Sequence, residues 1–154
     1  MSRRNKNKNS NQTRETVNFT EADFLPTTRK EMDAKGWDYC DVILVSGDAY
    51  IDSPFIGVAM VGRMLERMGY RVGMIGQPDI SSADDISRLG EPRLYWGVSG
   101  GSVDSMVSNY TATKKFRNSD DYTPGGKNNK RPDRAASVYT NLIRRHFKDT
   151  VPIV

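Results

Sequence analysis

Apolar and polar positions alternate in blocks that predict strands and helices in turn from residue 41 onward. Residues 41–47 (DVILVSG) hold a continuous apolar, β-branched run that ends at a glycine, the pattern of a strand buried on both faces. Residues 53–68 then carry a helical pattern, in which Ser53 is a candidate N-cap and Pro54 the first helical residue. Residues 71–76 form a second apolar run. Strand, helix and strand in this order predict a right-handed β-α-β unit.

One face of the predicted helix over residues 53–68 should pack on the sheet. Apolar residues recur there at helical spacing, namely Val58, Val61, Leu65 and Met68. The helix also contains Gly57 and Gly62, each of which costs about 1 kcal/mol relative to alanine in a helix. Both glycines therefore predict close packing against a neighbouring element.

Further elements follow in the same alternation. A short helix capped by Ser82 ends at residue 90, a strand covers 93–99, and helices cover 102–109 and 135–147. Together they predict an α/β fold with a doubly wound, mostly parallel, Rossmann-like sheet. Residues 151–154 begin a fourth strand. Because a domain seldom ends a few residues into a buried strand, we expect a piece of a longer polypeptide, truncated at its last strand.

Composition narrows the class of protein. The 154 residues suffice for one domain with its own core, and 36% hydrophobic against 27% charged residues fits a globular unit with disordered segments. No apolar run approaches the roughly 18 residues of a membrane span, and the basic amino terminus lacks the apolar stretch of a secretory signal. The sequence therefore predicts a soluble, cytoplasmic chain with no membrane partner.

The positive charge is confined to one end of the chain. The first 20 residues hold five basic residues and one acidic residue, which accounts for the whole net charge of +4. We therefore predict a disordered basic tail over residues 1–21 and an α/β domain over residues 22–154. Such tails bind nucleic acid nonspecifically or stay solvated. Because the remainder of the chain is neutral, the sequence argues against a nucleic-acid partner.

Loops rich in glycine, aspartate and serine follow the three predicted strands. Ligands of open parallel sheets bind beyond the carboxyl ends of the strands, so these loops predict a ligand crevice. Glycine admits close backbone approach, and helix N-termini offer free N–H donors, although turns alone also require these residue types. The candidate residues are Gly47, Asp48, Ala49, Tyr50, Asp52, Gln77, Asp79, Ser99, Gly100, Gly101 and Ser102.

The sequence argues against several common kinds of binding and catalytic site. No glycine-rich segment matches a dinucleotide-binding or Walker A loop. Asp48, Asp52, Asp79 and Asp104 could gather around a magnesium ion, but helix capping and solvation explain most of them equally well. The single cysteine, Cys40, excludes a multi-cysteine metal site and is expected to pack as a small hydrophobe. The single histidine, His146, is expected on the surface.

Ordered runs of residues from position 22 to position 154 resemble the amino-terminal region of the YgiQ family of radical SAM proteins. Those runs include FLP at 24–26, EMDAKGWDYCD at 31–41, GDAYIDSP at 47–54, GYRVG at 69–73, QPD at 77–79, DSMVSNYTA at 104–112, DYTP at 121–124 and KRPDRA at 130–135. The resemblance implies an accessory domain of unassigned substrate that covers or shapes the active site of a following radical SAM barrel. It makes that barrel the expected partner.

The resemblance also sets the expected cofactors. The family's barrel holds a [4Fe–4S] cluster on three thiolates and cleaves S-adenosylmethionine. With one cysteine, this segment cannot hold that cluster, so it is expected to be non-catalytic alone, with no cofactor of its own. The parent protein is expected to be a radical SAM enzyme.

A related resemblance, to cobalamin-binding domains, leaves a second function open. The cobalamin signature D-x-H-x-x-G is not satisfied, because Pro54 stands where the ligating histidine would be. The alternative hypothesis is therefore a small-ligand module with a cobalamin-like or nucleotide-like ligand held without that histidine. Residues 110–131 have no periodicity and are too long for a structureless connection, unless they are functional or disordered. We expect them to become ordered against the barrel or a substrate, with Tyr122, Arg131, Asp133 and Arg134 as interface candidates.

Overall fold

Three parallel strands form the centre of the structure, a computed structural model that describes residue 20 and residues 23–154. The strands are β1 (Val42–Ser46), β2 (Val72–Gly76) and β3 (Tyr95–Ser99), in the order β2-β1-β3. Leu44 of β1 lies opposite Met74 of β2 and Gly97 of β3. The alternation of helices and strands and the parallel sheet confirm the predicted α/β class. The prediction of a basic tail over residues 1–21 falls outside the described residues, apart from Thr20.

Five α-helices surround the sheet within the described part of the chain. They are α1 (Arg29–Ala34), α2 (Gly57–Arg67), α3 (Asp84–Ser87), α4 (Ser105–Asn109) and α5 (Ala135–His146). None of them is long and apolar enough to cross a membrane.

Both faces of β1 are covered, so every residue of this strand is buried. On one face, Leu25 and α2 pack on the even-numbered side chains Val42 and Leu44. On the other face, α5 packs on Ile43 and Val45. Burial on both faces explains why β1 reads as a continuous apolar run instead of an alternating one.

The last residues of the described chain lie beside β3. Trp96 of β3 donates its backbone N–H to Pro152 O at 2.9 Å, and Val154 N donates to Trp96 O at 2.8 Å. Ile153 forms a parallel bridge with Trp96, so the predicted fourth strand is present as a single bridge at this edge.

The predicted start of α2 was wrong, and half of the stripe predicted to pack on the sheet is exposed. The helix begins at Gly57 with Ile56 as N-cap, and Ser53 instead accepts a hydrogen bond from Phe55 N within a preceding turn. Val58 and Leu65 pack on the core as expected, but Val61 and Met68 are 50% and 67% exposed. The predicted close packing holds at Gly62, where a Cβ would overlap Leu25, and fails at Gly57, where nothing lies within 4 Å.

Other element boundaries also differ from the predictions. Helix α1 was not predicted, although Thr28 and Glu31 form a capping box that identifies it. Helix α3 starts after Ala83 instead of at Ser82. Helix α4 starts three residues later than predicted because Asp104, whose carboxylate accepts from Met106 N at 2.9 Å, is its N-cap.

Candidate functional site

The three strands end together and place their following loops side by side. Gly47 N donates to Ser99 O at 3.0 Å, which joins the loops after β1 and β3. Gln77 N donates to Ser46 O at 2.8 Å, which joins the loops after β2 and β1. The parallel register thus brings the predicted crevice residues to one edge of the sheet.

Arg131 occupies the space between the loops after β1 and β3. Its side chain is fully buried, and its Nη2 lies 2.5 Å from Asp48 Oδ1. Its Nη1 donates to Gly100 O at 2.8 Å, and its Nε lies 3.3 Å from Asp120 Oδ2. One guanidinium therefore binds the loop after β1, the loop after β3 and its own segment.

Asp48 completes this network from the other side. Its Oδ2 accepts a hydrogen bond from Ser102 N at 2.5 Å, and its own backbone N–H donates to Ser46 Oγ at 3.1 Å. Both carboxylate oxygens are thus used within the chain, and the residue is 2% exposed. Arg131 and Ser102 thus hold the two oxygens of this carboxylate inside the chain.

The buried side chains of Asp120 and Arg131 each stabilise the charged form of the other. Burial would raise the pKa of Asp120, but hydrogen bonds from Tyr122 N, Thr123 Oγ1 and Arg131 lower it below its ordinary value. Burial would likewise lower the pKa of Arg131, and Asp48 and Asp120 raise it. The guanidinium and the Asp120 carboxylate are therefore both charged at neutral pH.

Two glycines are required by how closely this network packs. A Cβ on Gly47 would overlap Gly100 O. Gly101 has a φ of 106°, which glycine adopts without strain, and a Cβ there would overlap Asp48 Oδ1 and approach Arg131 Nη1 to 2.5 Å. The glycines thus admit the chain's own carboxylate and guanidinium, instead of leaving room for an external phosphate.

Residues 119–131, which we call the cover segment, lie over the ends of the strands. Ala49 N donates to Tyr122 O at 2.9 Å. Gln77 donates its Nε2 to Gly47 O at 2.9 Å and to Thr123 Oγ1 at 2.6 Å. All three strand-end loops are therefore bound to the cover segment.

Residues 110–131 form bridges, turns and hydrogen bonds inside this chain, and their ordering against a barrel or substrate stays a prediction. Backbone bridges join Tyr110 to Phe116 and Ser119 to Lys127, and a 3-10 turn covers Pro124–Gly126. This segment has little regular secondary structure, so its buried backbone groups need other hydrogen-bond partners. Buried polar side chains provide them.

The remaining interface candidates lie just after the cover segment. Asp133 is exposed and accepts hydrogen bonds from Asn109 Nδ2 at 2.8 Å and Tyr110 OH at 2.7 Å. Arg134 is exposed, has a φ of 53° and begins α5. Asp133 therefore fastens the chain to α4, and Arg134 makes the turn into α5.

An open cavity of about 630 Å³ remains next to the ends of β1 and β2. Tyr50 and Gln77 line it from the strand ends, and Arg88, Lys130 and Glu31 supply charges of both signs. The Tyr50 hydroxyl accepts a hydrogen bond from Leu25 N at 3.2 Å, and burial raises its pKa. This cavity is one open part of the predicted crevice, and a groove lined by Ser99, Gly101 and Ser102 is another.

Two predicted residues play local roles. The Asp52 carboxylate, which lines the cavity, accepts from Arg63 Nε at 3.0 and 3.1 Å and so anchors the turn before α2 to that helix. Asp79 caps a turn by accepting from Ser81 N at 2.9 Å, and that hydrogen bond lowers its pKa. Neither aspartate joins Asp48 in a shared metal site.

Sequence reasoning missed Asp120, which connects Arg131 to Thr123 and through it to Gln77. The adjacent DYTP run drew attention to Tyr122, but no local pattern shows that Asp120 is 3% exposed. The expectations for the single cysteine and histidine are confirmed: Cys40 is fully buried and His146 is exposed. Burial raises the pKa of Cys40 to about 11.

Comparison with known proteins gives a consistent result. A family model described as Radical SAM N-terminal matches residues 24–154. A UPF0313 protein of Fusobacterium nucleatum is 61% identical over 127 residues, covering 82% of this chain and 22% of the relative. A UPF0313 protein of Thermotoga maritima is 60% identical over 131 residues, covering 85% and 23%. One of Shewanella oneidensis is 54% identical over 136 residues, covering 88% and 17%.

The chain spans about a fifth of the length of these curated relatives. No solved structure matches it.

Proposed function

We propose a function from the premise that this chain belongs to the Radical SAM N-terminal family, in the group of the UPF0313 proteins. On this proposal it is a non-catalytic accessory domain, over residues 22–154, that covers or shapes the active site of a radical SAM barrel. The observation that carries the proposal is the match of the family model to all of residues 24–154.

The residues of this chain do not fit the cluster that the family name implies. A radical SAM cluster is held by three thiolates, and the chain has one cysteine. Cys40 is buried against Met32, with Sγ 3.8 Å from Met32 Sδ, and burial raises its pKa to about 11. Among the described residues no group of three or more histidine, cysteine or acidic side chains could hold a metal ion. In a longer protein of this family the cluster ligands would come from outside this region.

The internal network also supports an accessory role. The crevice between β1 and β3, where open α/β sheets commonly bind their ligand, is filled by Arg131 of the same chain. A domain with that position filled offers a preformed surface in place of a reaction centre. Its contribution to catalysis would come from positioning or shielding the barrel.

The test is a chimera of the Fusobacterium nucleatum relative, in which this chain replaces the region that it matches. A version with the region deleted serves as the comparison. We expect both to bind about four iron atoms per chain, because the cluster ligands lie elsewhere. Cleavage of S-adenosylmethionine after reduction should be restored by the chimera and change about tenfold or more on deletion. Equal cleavage with and without the domain would contradict the accessory role, and loss of iron on deletion would contradict the assignment of all cluster ligands to the barrel.

A second candidate, a small-ligand module, is favoured by the 630 Å³ cavity at the ends of β1 and β2. Its lining combines the Tyr50 ring, the Gln77 amide and the cations Arg88 and Lys130. Aromatic and polar groups of this kind suit a ligand with a planar ring and a negative charge.

This candidate is tested by titrating the chimera with ATP and, separately, with cobalamin in a calorimeter. Binding that is lost in Lys130→Ala and kept in Lys127→Ala, whose side chain does not line the cavity, would support a ligand site. Absence of heat with both probes at millimolar concentration would reject both the nucleotide-like and the cobalamin-like versions.

A further inference from the structure

We propose that the outer face of α2 and the groove beside it form the surface through which this domain docks on the rest of a radical SAM protein. The inference rests on the proposed function, in which the domain works as part of a longer chain. The surface is distinct from the cavity at the ends of β1 and β2, and it reaches the loop after β3 only through Ser99, Gly101 and Ser102.

Helix α2 is apolar on both of its sides. Successive residues of a helix are about 100° apart, so Arg63, Glu66 and Arg67 fall within one polar arc of about 100°. Val58, Gly62 and Leu65 mark the side that packs on the sheet. The opposite side carries another apolar stripe. An apolar surface that extends from the sheet side of a helix to its outer side is normally covered by a second neighbour.

That stripe is open in the structure. Met60, Val61, Met64 and Met68 are 53%, 50%, 64% and 67% exposed, and Phe55 in the preceding turn is 92% exposed. Monomeric proteins seldom expose contiguous apolar patches of this kind unless they are binding sites. Methionine side chains are flexible and polarisable, which suits them to such contacts.

A groove of about 470 Å³ continues the stripe toward β3. It is lined by Leu44, Val58, Val61, Tyr95, Gly97 and Val154. Helix α2 packs on β1 and β2, whereas α5 packs on β3 from the opposite face. The helix layer on the α2 side therefore leaves its next position, over β3, open in the described part of the chain.

The occupant is the part of a longer family protein that follows the region matched here. The matched relatives are between four and six times as long as the regions that this chain covers. The family model describes an N-terminal region that extends to residue 154. Val154, at the end of the region that the family model matches, lines the groove, so the segment that follows this region in a longer family protein would start beside the groove. A tethered segment meets its surface at high effective concentration, which favours it over a second copy of the chain.

The experiment is oxidation of methionines in the chimera described above by hydrogen peroxide, read by mass spectrometry. Met32 and Met74 are 0% and 1% exposed and give the buried reference, and the same protein in guanidinium gives the exposed reference. We expect Met60, Met64 and Met68 to oxidise at least about fivefold more slowly than in guanidinium, because a docked segment shields their thioethers. Oxidation of these three at the unfolded rate would overturn the proposal.

A matched pair of variants identifies the surface. Val61→Glu places a charge in the groove, and Val107→Glu places one at a similarly exposed apolar residue of α4, outside the groove. Val61→Glu should restore oxidation of Met64, and Val107→Glu should leave it slow. Equal effects of the two variants would overturn the proposal. Protection that fades on dilution would assign the surface to a second copy and also overturn it.

Methionine oxidation and cleavage of S-adenosylmethionine, both measured on the chimera, distinguish a failure of this docking surface from a failure of the proposed function. Shielded methionines with cleavage of S-adenosylmethionine that does not depend on the domain would keep the docking surface and reject the accessory role. Domain-dependent cleavage with unshielded methionines would keep the accessory role and reject this surface.

Discussion

At the scale of single residues, Arg131 shows how one buried cation organises the strand ends. Its guanidinium meets Asp48, Asp120 and Gly100 O, and its side chain is fully shielded from water. Burying charges is costly unless each is paired and hydrogen-bonded, and here both carboxylates are. Removing one partner would therefore leave buried charge without compensation.

We predict that Arg131→Met lowers the free energy of unfolding by about 3–5 kcal/mol, the range for breaking a buried ion pair from one side. Asp48 and Asp120 would then both lie buried without their cation. The measurement is urea unfolding at pH 7. Arg144→Met is the matched control, because Arg144 is exposed on α5 and should change stability by less than about 0.5 kcal/mol. Equal midpoints for the two variants would contradict the structure.

The depressed pKa of Asp120 predicts a specific pH dependence. Because the folded-state pKa lies below the ordinary value of 3.8, its contribution is present above that value and is lost as pH falls through the folded pKa. The free energy of unfolding of the native chain should thus fall as the pH falls. In Asp120→Asn the free energy of unfolding should depend less on pH in this acidic range. Asp121→Asn, at the exposed neighbour, should leave the curve unchanged. Unfolding measured from pH 2 to pH 6 compares the three, and parallel curves would reject the assignment.

At the scale of elements, short helices are held by their caps because few of their residues are buried. Helix α1 has six residues and one buried side chain, Met32. Its capping box joins Thr28 Oγ1 to Glu31 N at 3.3 Å and Glu31 Oε2 to Thr28 N at 3.1 Å. Local hydrogen bonds therefore carry much of the stability of this element.

We predict that Thr28→Ala lowers the free energy of unfolding by about 1 kcal/mol, the usual cost of losing an N-cap. Thr28→Ser keeps the hydroxyl and should retain most of that energy. Thermal unfolding of both variants tests the pair. If serine proved as damaging as alanine, the hydroxyl would not be the relevant group.

At the scale of the whole molecule, the cover segment couples the three strand ends into one unit. It reaches Ala49 after β1, Gln77 after β2 and Gly100 after β3. Contacts this far apart in sequence form only when the sheet is assembled. The order of residues 119–131 therefore depends on the integrity of the ion pair at Arg131.

We predict slow trypsin cleavage after Lys127 and Lys130 in the native chain and cleavage about tenfold faster in Arg131→Met, because local opening exposes the cover segment. Timed digestion with mass spectrometry follows these two bonds. Cleavage after Lys148, which lies beyond α5, is the internal control and should keep its rate. Unchanged cleavage at Lys127 in the variant would show that Arg131 does not hold the segment.

Local pattern was enough for the class of fold and for most element positions. The apolar run at β1 identifies a strand buried on both faces, and the single helix in the segment between β1 and β2 predicts a parallel crossover. Boundaries were less accurate at α2, where Ser53 and Pro54 resemble a helix start but form a turn. Helix propensity describes which conformations a residue type tolerates. The turn before α2 is held instead by a contact of the folded chain, the hydrogen bond from Arg63 Nε to the Asp52 carboxylate.

The sequence by itself determined the α/β class, the family resemblance, the absence of a three-cysteine cluster site in this chain, and the meeting of the loops at one sheet edge. All of these depend on residues that are near one another in the chain or on composition. Tertiary structure alone decided that Arg131 fills the crevice between β1 and β3, and that one face of α2 stays exposed. Arg131 and Asp48 are separated by 83 positions, and their pairing depends on the packing of the whole sheet edge. No periodicity in the sequence records such a distant contact, or marks which apolar stripe a sheet leaves uncovered.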